Sequence, residues 1–454
     1  MINLIKLKKY FQVFIVLFFF KSNAFASIET SIQYEKFYRL NKPQYKSESG
    51  DLFDLGIKSE PIVIENNKIQ FSIDANFRFY FQDTNVLNYS IQEAYAQIKI
   101  SQYTFSVGRK ILDWNPSEKY WGLGLLNGNQ AFSLLSSEEE GIMGANLNSS
   151  FGPFIECNFF LSYFFIPQIN PAVNFKNGEV KSKSDWVRLP PRKTIINGQE
   201  VPIYYSLDKI DVSKIILNKS IGANLKIKWN RGFISGFAIY KPENRLRANA
   251  SAYYDNITLN QVVVKASPTV NHHANFGVRI DQNLNENFNL NFGITYVDPN
   301  SKLGKDIPLS IHTSNKVFKS EYFAINPQFE KETFSHASLN YTNFKDLKFS
   351  LNYIHLLSGN VRKNDDFFND SVKWNRAIGG SVSYNVSNYF RIYADLKYDL
   401  ERFDNILKGE LIYNYKNKTF VSIGLEILKA PNDSSYWSYY RANDLLYSNI
   451  GFYF

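Results

Sequence analysis

Hydrophobic and polar residues alternate with a period of two along much of this chain. In the segment 68–81 one side carries Phe71, Ile73, Ala75, Phe77, Phe79 and Phe81. The intervening positions, from Ser72 to Tyr80, are mostly polar. The segments 285–297 and 389–399 repeat this pattern. Such alternation predicts β-strands with one apolar face.

Segments of this kind recur from one end of the chain to the other, and they predict eighteen strands. We place them at 31–39, 52–64, 68–81, 90–100, 103–110, 139–148, 153–165, 220–230, 232–241, 269–281, 285–297, 333–344, 347–357, 373–385, 389–399, 405–415, 418–428 and 443–454. If these strands close into a single-chain bacterial membrane barrel, their number should be even, as it is here. The count depends on 298–332, where "EYFAINPQFE" could form an extra strand, and sixteen strands is the alternative.

The connections between these strands fall into two groups. Tight turns, such as 101–102 and 386–388, alternate with long segments at 111–138, 166–219, 242–268 and 298–332. Short turns at one end and long loops at the other are typical of a transmembrane β-barrel. We therefore predict an all-β fold, a transmembrane antiparallel β-barrel formed by one domain, residues 27–454. A soluble β-sandwich or barrel also alternates, but the long strands and unequal loops favour a membrane.

Composition agrees with this prediction. Aromatic residues make up 17% of the chain, with 39 Phe and 30 Tyr, yet the mean hydropathy is −0.30. Barrel strands alternate lipid-facing and lumen-facing residues, which keeps the average low. After residue 26 no segment approaches the 18 consecutive apolar residues expected of a spanning helix.

The first 26 residues predict a secretory signal peptide. Lys6, Lys8 and Lys9 precede the apolar stretch Tyr10–Phe20, and Ala24–Ala26 forms a cleavage site. The apolar stretch is too short for a membrane anchor. The mature chain would carry 47 basic and 42 acidic residues, an excess too small to indicate nucleic-acid binding. Its one cysteine, Cys157, excludes disulfides within the chain.

The final residues, "LLYSNIGFYF", place Phe452 and Phe454 on one side of a last strand. This ending resembles the closing strand of Gram-negative outer-membrane β-barrel proteins. The resemblance implies export through the periplasm, recognition of the ending by the barrel assembly machinery, and a cell outer membrane location among lipid and lipopolysaccharide.

The segment Val107–Gly141 begins in the fifth predicted strand and is rich in charged and aromatic residues. It includes Arg109, Asp113, Trp114, Glu118, Lys119 and Trp121. Its position as the third long-side connection, and a Gly-Arg pair followed by Trp, resemble porins. That resemblance implies a third loop folded into the lumen as a constriction, passage of small hydrophilic solutes, and possible homotrimers. Alternatively, Trp114 and Trp121 pack the loop against the barrel rim.

Charges on the polar face predict ion selectivity. The predicted pore-lining bases are Arg78, Lys99, Lys226, Lys228, Arg279, Lys348, Arg391 and Lys397, and the acids are Asp74, Glu93, Asp395 and Asp399. Eight bases against four acids favour anions. The alternative for any one of these residues is an ion pair that stabilises the wall.

Two other functions are weighed against the channel. The basic segment Phe175–Lys193 lies in the longest loop and could contact lipopolysaccharide, recruit an acidic ligand or plug the mouth, which suggests a receptor or adhesin; a solvated loop is the simpler interpretation. For an enzyme, the five histidines and the serines form no catalytic or metal-ligand spacing. We therefore expect a porin-like channel for passive or facilitated diffusion, with no enzymatic activity, cofactor or metal.

Overall fold

A computed structural model provides the structure of the chain. It describes residues 28–41, 49–59, 62–64, 69–80, 87–129, 134–135, 138–168, 173–182, 184, 186–196, 198–255, 260–299, 322–325, 331–342, 346–359, 372–415, 418–433 and 435–454. The predicted signal peptide lies outside these residues. Among the described residues, no helix has the length and apolar character needed to cross a membrane.

Eighteen antiparallel strands form one closed barrel, which confirms the predicted fold. They are β1 (Ile28–Arg39), β2 (Ser49–Ser59), β3 (Ile69–Tyr80), β4 (Leu87–Ile100), β5 (Tyr103–Lys110), β6 (Ile142–Phe151), β7 (Ile155–Ser162), β8 (Ser220–Trp229), β9 (Gly232–Pro242), β10 (His272–Asn283), β11 (Phe288–Pro299), β12 (Glu332–Thr342), β13 (Leu347–Ser358), β14 (Arg376–Asn385), β15 (Phe390–Asp399), β16 (Asn405–Tyr415), β17 (Thr419–Lys429) and β18 (Leu445–Tyr453). A short segment, Ile62–Ile64, continues β2 along β3.

Pairing between the first and last strands closes the barrel. β1 and β18 pair from Ser31–Tyr453 to Arg39–Leu445, while each other strand pairs with its neighbours in sequence. The barrel therefore has no open edge, and the backbone groups of the paired residues find partners within the sheet.

The two faces of the wall differ as the alternation predicts. On β10, Phe276, Val278 and Ile280 are 44% to 54% exposed, whereas Asn275 and Arg279 are at most 7% exposed. Exposed apolar side chains on the outer face suit contact with lipid, because transfer of apolar surface away from water is favourable. The buried polar residues face the interior.

Long connections leave one end of the barrel, and the described parts of several of them contain helices or strands. We name them L3 (residues 111–141), L4 (163–219), L5 (243–271), L6 (300–331), L7 (359–375) and L9 (430–444). L3 contains helix α1 (Pro116–Trp121), L4 contains helix α2 (Val212–Ile216), and L9 contains the 3₁₀ helix Tyr436–Asn443. At the opposite end the described connections, such as 101–102 and 230–231, are tight turns.

Three of these loops build a second sheet outside the barrel, here called the loop sheet. Its strands, in spatial order, are Lys193–Ile196, Gln199–Leu207, Gln261–Thr269, Arg247–Asp255 and Tyr322–Ile325. The sequence did not predict it. The possible extra strand in "EYFAINPQFE" is thus Tyr322–Ile325, and it belongs to the loop sheet rather than to the barrel.

Candidate functional site

L3 lies inside the barrel. It exchanges hydrogen bonds with wall residues that are far apart around the circumference: Asn76 on β3 and Gln92 on β4 with Glu138, Asn275 on β10 with the Leu125 carbonyl, Thr295 on β11 with Asn115, and Asp395 on β15 with Tyr120. Strands so widely separated on a closed barrel have only the interior in common. The contacts therefore fix L3 within the lumen.

Local sequence explains the helix at the centre of L3. Pro116 occupies the first turn of α1, where its missing N–H costs nothing. Gly122 ends the helix with φ of 61°, a left-handed conformation that glycine adopts without strain, and its N–H donates to the Lys119 carbonyl. The helix is only six residues long, so its position depends on packing at both ends.

Trp114 anchors the start of this helix to one side of the wall. Its ring, 4% exposed, lies 6.1 Å from that of Phe237 on β9 and packs in a cluster with Leu112, Leu126, Phe160 and Ile239. Next to it, Asn115 Nδ2 donates to Thr295 Oγ1 over 2.9 Å. Trp114 thus packs the loop against the wall rather than facing open space.

Trp121 anchors the other end of the helix. Its ring is 2% exposed and lies 5.4 Å from the ring of Trp374 in L7, whose Nε1 donates to the Trp121 carbonyl over 3.0 Å. Trp374 in turn packs on Trp437 of L9, and Trp186 of L4 packs on Tyr440. This aromatic cluster joins L3, L4, L7 and L9 on one side of the external mouth.

Glu118 holds the loop together from within. The carboxylate is buried and accepts hydrogen bonds from the backbone N–H groups of Leu125 and Leu126 and from Asn115 Nδ2. Burial raises the pKa of Glu118 to about 7, although the bond from Leu126 and the nearby Lys241 oppose the shift. Glu118 therefore acts as an internal brace of L3. In contrast, Asp113 and Lys119 are exposed.

A second group of charged residues fixes the C-terminal part of L3, residues 138–141. Arg78 on β3 forms ion pairs with Asp54 on β2 and with Glu138, at 2.9 Å for the latter. Arg109, at the end of β5, pairs with Glu140 at 2.8 Å, and Ser90 donates to the same carboxylate. Arg78 and Arg109 are thereby tied to L3.

Most of the other predicted pore-lining residues have partners on the wall. Asp74 faces Lys58 at 3.7 Å, and Glu93 accepts from the Ile111 N–H. Lys226 and Lys228 both pair with Glu156, Arg279 stacks on Phe233, and Lys397 lies 3.6 Å from Asp395. Pairing of this kind reduces the net field that each charge adds to the lumen.

The remaining predicted pore-lining residues lie at the two ends of the wall. Lys99, Lys348 and Arg391 are exposed and lie within a few residues of the tight turns. Asp399, at the opposite end, is fully buried, and its oxygens accept from the backbone N–H groups of Asn375, Glu401 and Arg402. This pattern gives Asp399 the geometry of a cap for the short connection that follows β15.

Open space remains in the interior on the side away from α1. A cavity of about 260 Å³, here called the passage cavity, is bordered by β1–β3 and β16–β18, with Glu138 of L3 and Trp186 of L4 at its margin. Its charged lining consists of Arg39, Arg78, Lys408, Glu35, Asp54, Glu138, Glu410 and Glu426. Of these, only Arg78 was predicted from the sequence; Glu35, Glu410 and Glu426 share its alternating pattern and could have been found in the same way.

The two predicted assembly residues lie on the outer face of the closing strand. Phe452 is 40% exposed and Phe454 is 61% exposed. The Phe454 N–H and carbonyl exchange hydrogen bonds with Thr30 at 2.8 and 3.2 Å. Phe454 is therefore part of the seam between β1 and β18.

Comparison with known proteins gives structural likenesses only. No protein family and no curated protein matches the chain. Among solved structures, OccAB3 of Acinetobacter baumannii is similar with 10% identity and a TM-score of 0.46, covering 94% of this chain and 98% of that one. OmpF of Salmonella typhi, in complex with daunomycin, has 10% identity and a TM-score of 0.43 over 94% and 97%. A variant of the Rh. blastica porin has 12% identity and a TM-score of 0.39 over 94% and 99%.

Proposed function

We propose that this chain is an outer-membrane, porin-like channel through which small hydrophilic solutes cross by passive or facilitated diffusion. The observation that carries the proposal is the position of L3: α1 is anchored at both ends inside the barrel, and the passage cavity lies on the side of the interior away from this helix. A loop fixed in this way narrows the lumen without filling it. Export behind a cleaved signal peptide, assembly as a homotrimer and contact with lipopolysaccharide belong to the same proposal.

The polar lining supports hydrophilic rather than apolar solutes. Ionised side chains of both signs border the passage cavity, so an apolar molecule would have to displace their hydration without replacing it. Charge, size and hydrogen bonding then determine which solutes pass.

The charge around the passage cavity favours the passage of cations over that of anions. Five carboxylates border it against three basic groups, which is opposite to the anion preference predicted from the sequence. That prediction counted bases that the structure pairs with acids, such as Lys228 with Glu156. We propose a modest preference for cations, and the sign of the reversal potential under a salt gradient decides between the two.

Blockade of single-channel current by thiol reagents tests the position of L3. In a Cys157→Ser background, Asp113→Cys and Lys119→Cys place thiols at exposed positions on L3. A bulky methanethiosulfonate reagent should reduce the open-channel current of both variants, because the added group enters the narrowed lumen. Glu179→Cys, on an exposed hairpin of L4, is the matched control and should keep its current.

Three outcomes would overturn the proposal. One is the absence of conductance from protein that is folded and inserted in a planar bilayer. The second is full current in both labelled L3 variants. The third is equal blockade of the L4 control, which would place the restriction at the external mouth.

A further inference from the structure

The loop sheet is a folded unit outside the barrel, with a core of its own. One face packs Val201, Tyr205, Ala250, Ala252 and Val264, each at most 7% exposed, and Val180 from the hairpin 173–182 joins them. Ordering of so many loop residues costs backbone conformational entropy. A loop that merely narrows the mouth does not require a sheet with two distinct faces.

The opposite face of the loop sheet is exposed and carries aromatic rings in register. Tyr204 and Tyr253 both pair with Val263, one from each side. The two tyrosines therefore point the same way, two strand spacings apart, or about 9.5 Å. They are 41% and 37% exposed, with the Tyr204 ring lying partly against Gly178 of the hairpin 173–182, and Ile195 on the neighbouring strand is 73% exposed. Tyrosine offers a flat apolar surface together with a polar hydroxyl.

Basic residues border these rings. Lys193 and Lys265 lie on the same face, with side chains 62% and 56% exposed. Each forms a surface ion pair, Lys193 with Glu200 at 2.7 Å and Lys265 with Asp208 at 2.6 Å. Solvent-exposed ion pairs contribute little to stability, so a polyanion can compete for the two ammonium groups.

The positive charge of the chain is concentrated in the loops that form this sheet. The segments 163–219, 243–271 and 300–331 contain 17 basic and 10 acidic residues. The other residues from 27 onward contain 30 basic and 32 acidic residues. The rest of the chain is therefore close to neutral, whereas these three loops are positive, and they attract anionic partners over roughly a Debye length.

From this combination we propose that the exposed face of the loop sheet binds a soluble acidic polysaccharide. Sugar rings pack their C–H faces on Tyr204 and Tyr253, and carboxylate groups contact Lys193 and Lys265. All four residues lie on loop strands rather than on the lipid-facing wall, which favours a glycan from the external medium over lipopolysaccharide of the same membrane. The proposal goes beyond solute diffusion and does not depend on it.

Binding of polygalacturonate to the purified full chain in detergent tests this proposal, with neutral dextran for comparison. Native protein should bind polygalacturonate, and this binding should weaken with added salt. It should not bind dextran. The variant Tyr204→Ser/Tyr253→Ser and the variant Lys193→Gln/Lys265→Gln should each weaken binding by about tenfold, a loss of roughly 1.4 kcal/mol. The matched control Tyr439→Ser/Lys214→Gln removes an exposed tyrosine and an exposed lysine outside the loop sheet and should bind like the native protein.

Other results would overturn the proposal. These are no binding of polygalacturonate, equal binding of dextran, variants that bind like the native protein, or binding confined to lipopolysaccharide micelles or to acidic peptides. Heat-dependent gel migration checks that each variant keeps its barrel. Single-channel conductance is measured on the same samples: its loss in every sample would refute the proposed channel and leave the glycan result intact.

Discussion

The hydroxyl of Tyr120, on the helix of L3, donates a hydrogen bond of 3.0 Å to the carboxylate of Asp395, on the far wall of the barrel. The ammonium of Lys397 lies 4.6 Å from the centre of the Tyr120 ring and 3.6 Å from Asp395. Burial and the adjacent Asp395 carboxylate both raise the pKa of Tyr120, so the phenol stays protonated as the donor. Tyr120 thus ties the loop to β15 through two interactions, the hydrogen bond to Asp395 and the contact of its ring with Lys397.

Tyr120→Phe should make the loop less firmly held. The variant keeps the ring but leaves the buried Asp395 without one hydrogen-bond donor, which costs about 1–3 kcal/mol. We expect more frequent current substates in single-channel records, with little change in mean conductance. Tyr398→Phe, on the outer face of the same strand, is the control and should record like the native channel. If Tyr120→Phe and Tyr398→Phe showed equally frequent current substates, the hydrogen bond from Tyr120 to Asp395 would not be what holds L3.

The attachment of L3 to the barrel wall should weaken as the pH rises from about 5 to 8. The pKa of Glu118 is raised from 4.5 to about 7 in the folded loop. The folded state therefore binds more protons than the released loop between these values, and its stability falls with rising pH across that window. Full ionisation costs up to roughly 3 kcal/mol by the shift in pKa.

Current noise at pH 5 and pH 8 measures this effect. Native channels should become noisier at pH 8. Glu118→Gln, which keeps an acceptor for Leu125 and Leu126 but does not ionise, should stay quiet at both values. Glu179→Gln, on the external hairpin, should behave like the native channel. If Glu118→Gln retained the pH dependence, the titrating group would lie elsewhere, and Lys241 and Glu139, whose charges act on Glu118, would be the next groups to substitute.

Carboxylates of the passage cavity should control selectivity. Glu410 on β16 and Glu426 on β17 border it, and Glu426 pairs with Lys408 at 3.1 Å. Glu410→Gln/Glu426→Gln should move the reversal potential toward anion preference, because two negative charges are lost from the lining. Glu156→Gln, which pairs with Lys226 and Lys228 away from that cavity, should shift it less. An unchanged reversal potential in the first variant would place the conducting route elsewhere in the lumen.

Sequence periodicity was sufficient to predict the strands of the barrel, because one face of every strand must be apolar. The predicted strand at 405–415 coincides with β16, and 347–357 differs from β13 by a single residue. The site was harder to predict, since it depends on how L3 folds. Nothing in local spacing reveals that Trp121 meets Trp374, 253 residues away, or that Glu138 reaches Arg78. The loop sheet was missed because its strands come from three separate loops, and one of its pairings is parallel.

Gly108 should tolerate no side chain. Its φ is +134°, and an added Cβ would lie 2.3 Å from the Ala94 carbonyl oxygen on the neighbouring strand. Gly108→Ala should lower the free energy of unfolding by about 2–4 kcal/mol through backbone strain and overlap. Gly380→Ala is the control, since its nearest atom would be 3.6 Å away, and it should change stability little. The midpoint of heat-dependent gel migration compares the two, and equal midpoints would contradict the argument.

The terminal Phe454 should matter more for assembly in the cell than for stability. The Phe454 backbone closes the seam with Thr30, while its side chain lies on the outer face. Phe454→Ser keeps the backbone bonds, so the refolded protein should be nearly as stable as the native one. If the side chain is read during insertion, the amount that reaches the outer membrane should still fall severalfold. Phe390→Ser, which removes another outer-face ring near the same end of the barrel, is the matched control and should accumulate normally. Equal losses in both variants would mean that the two rings contribute only lipid contact, and that the ending carries no separate signal.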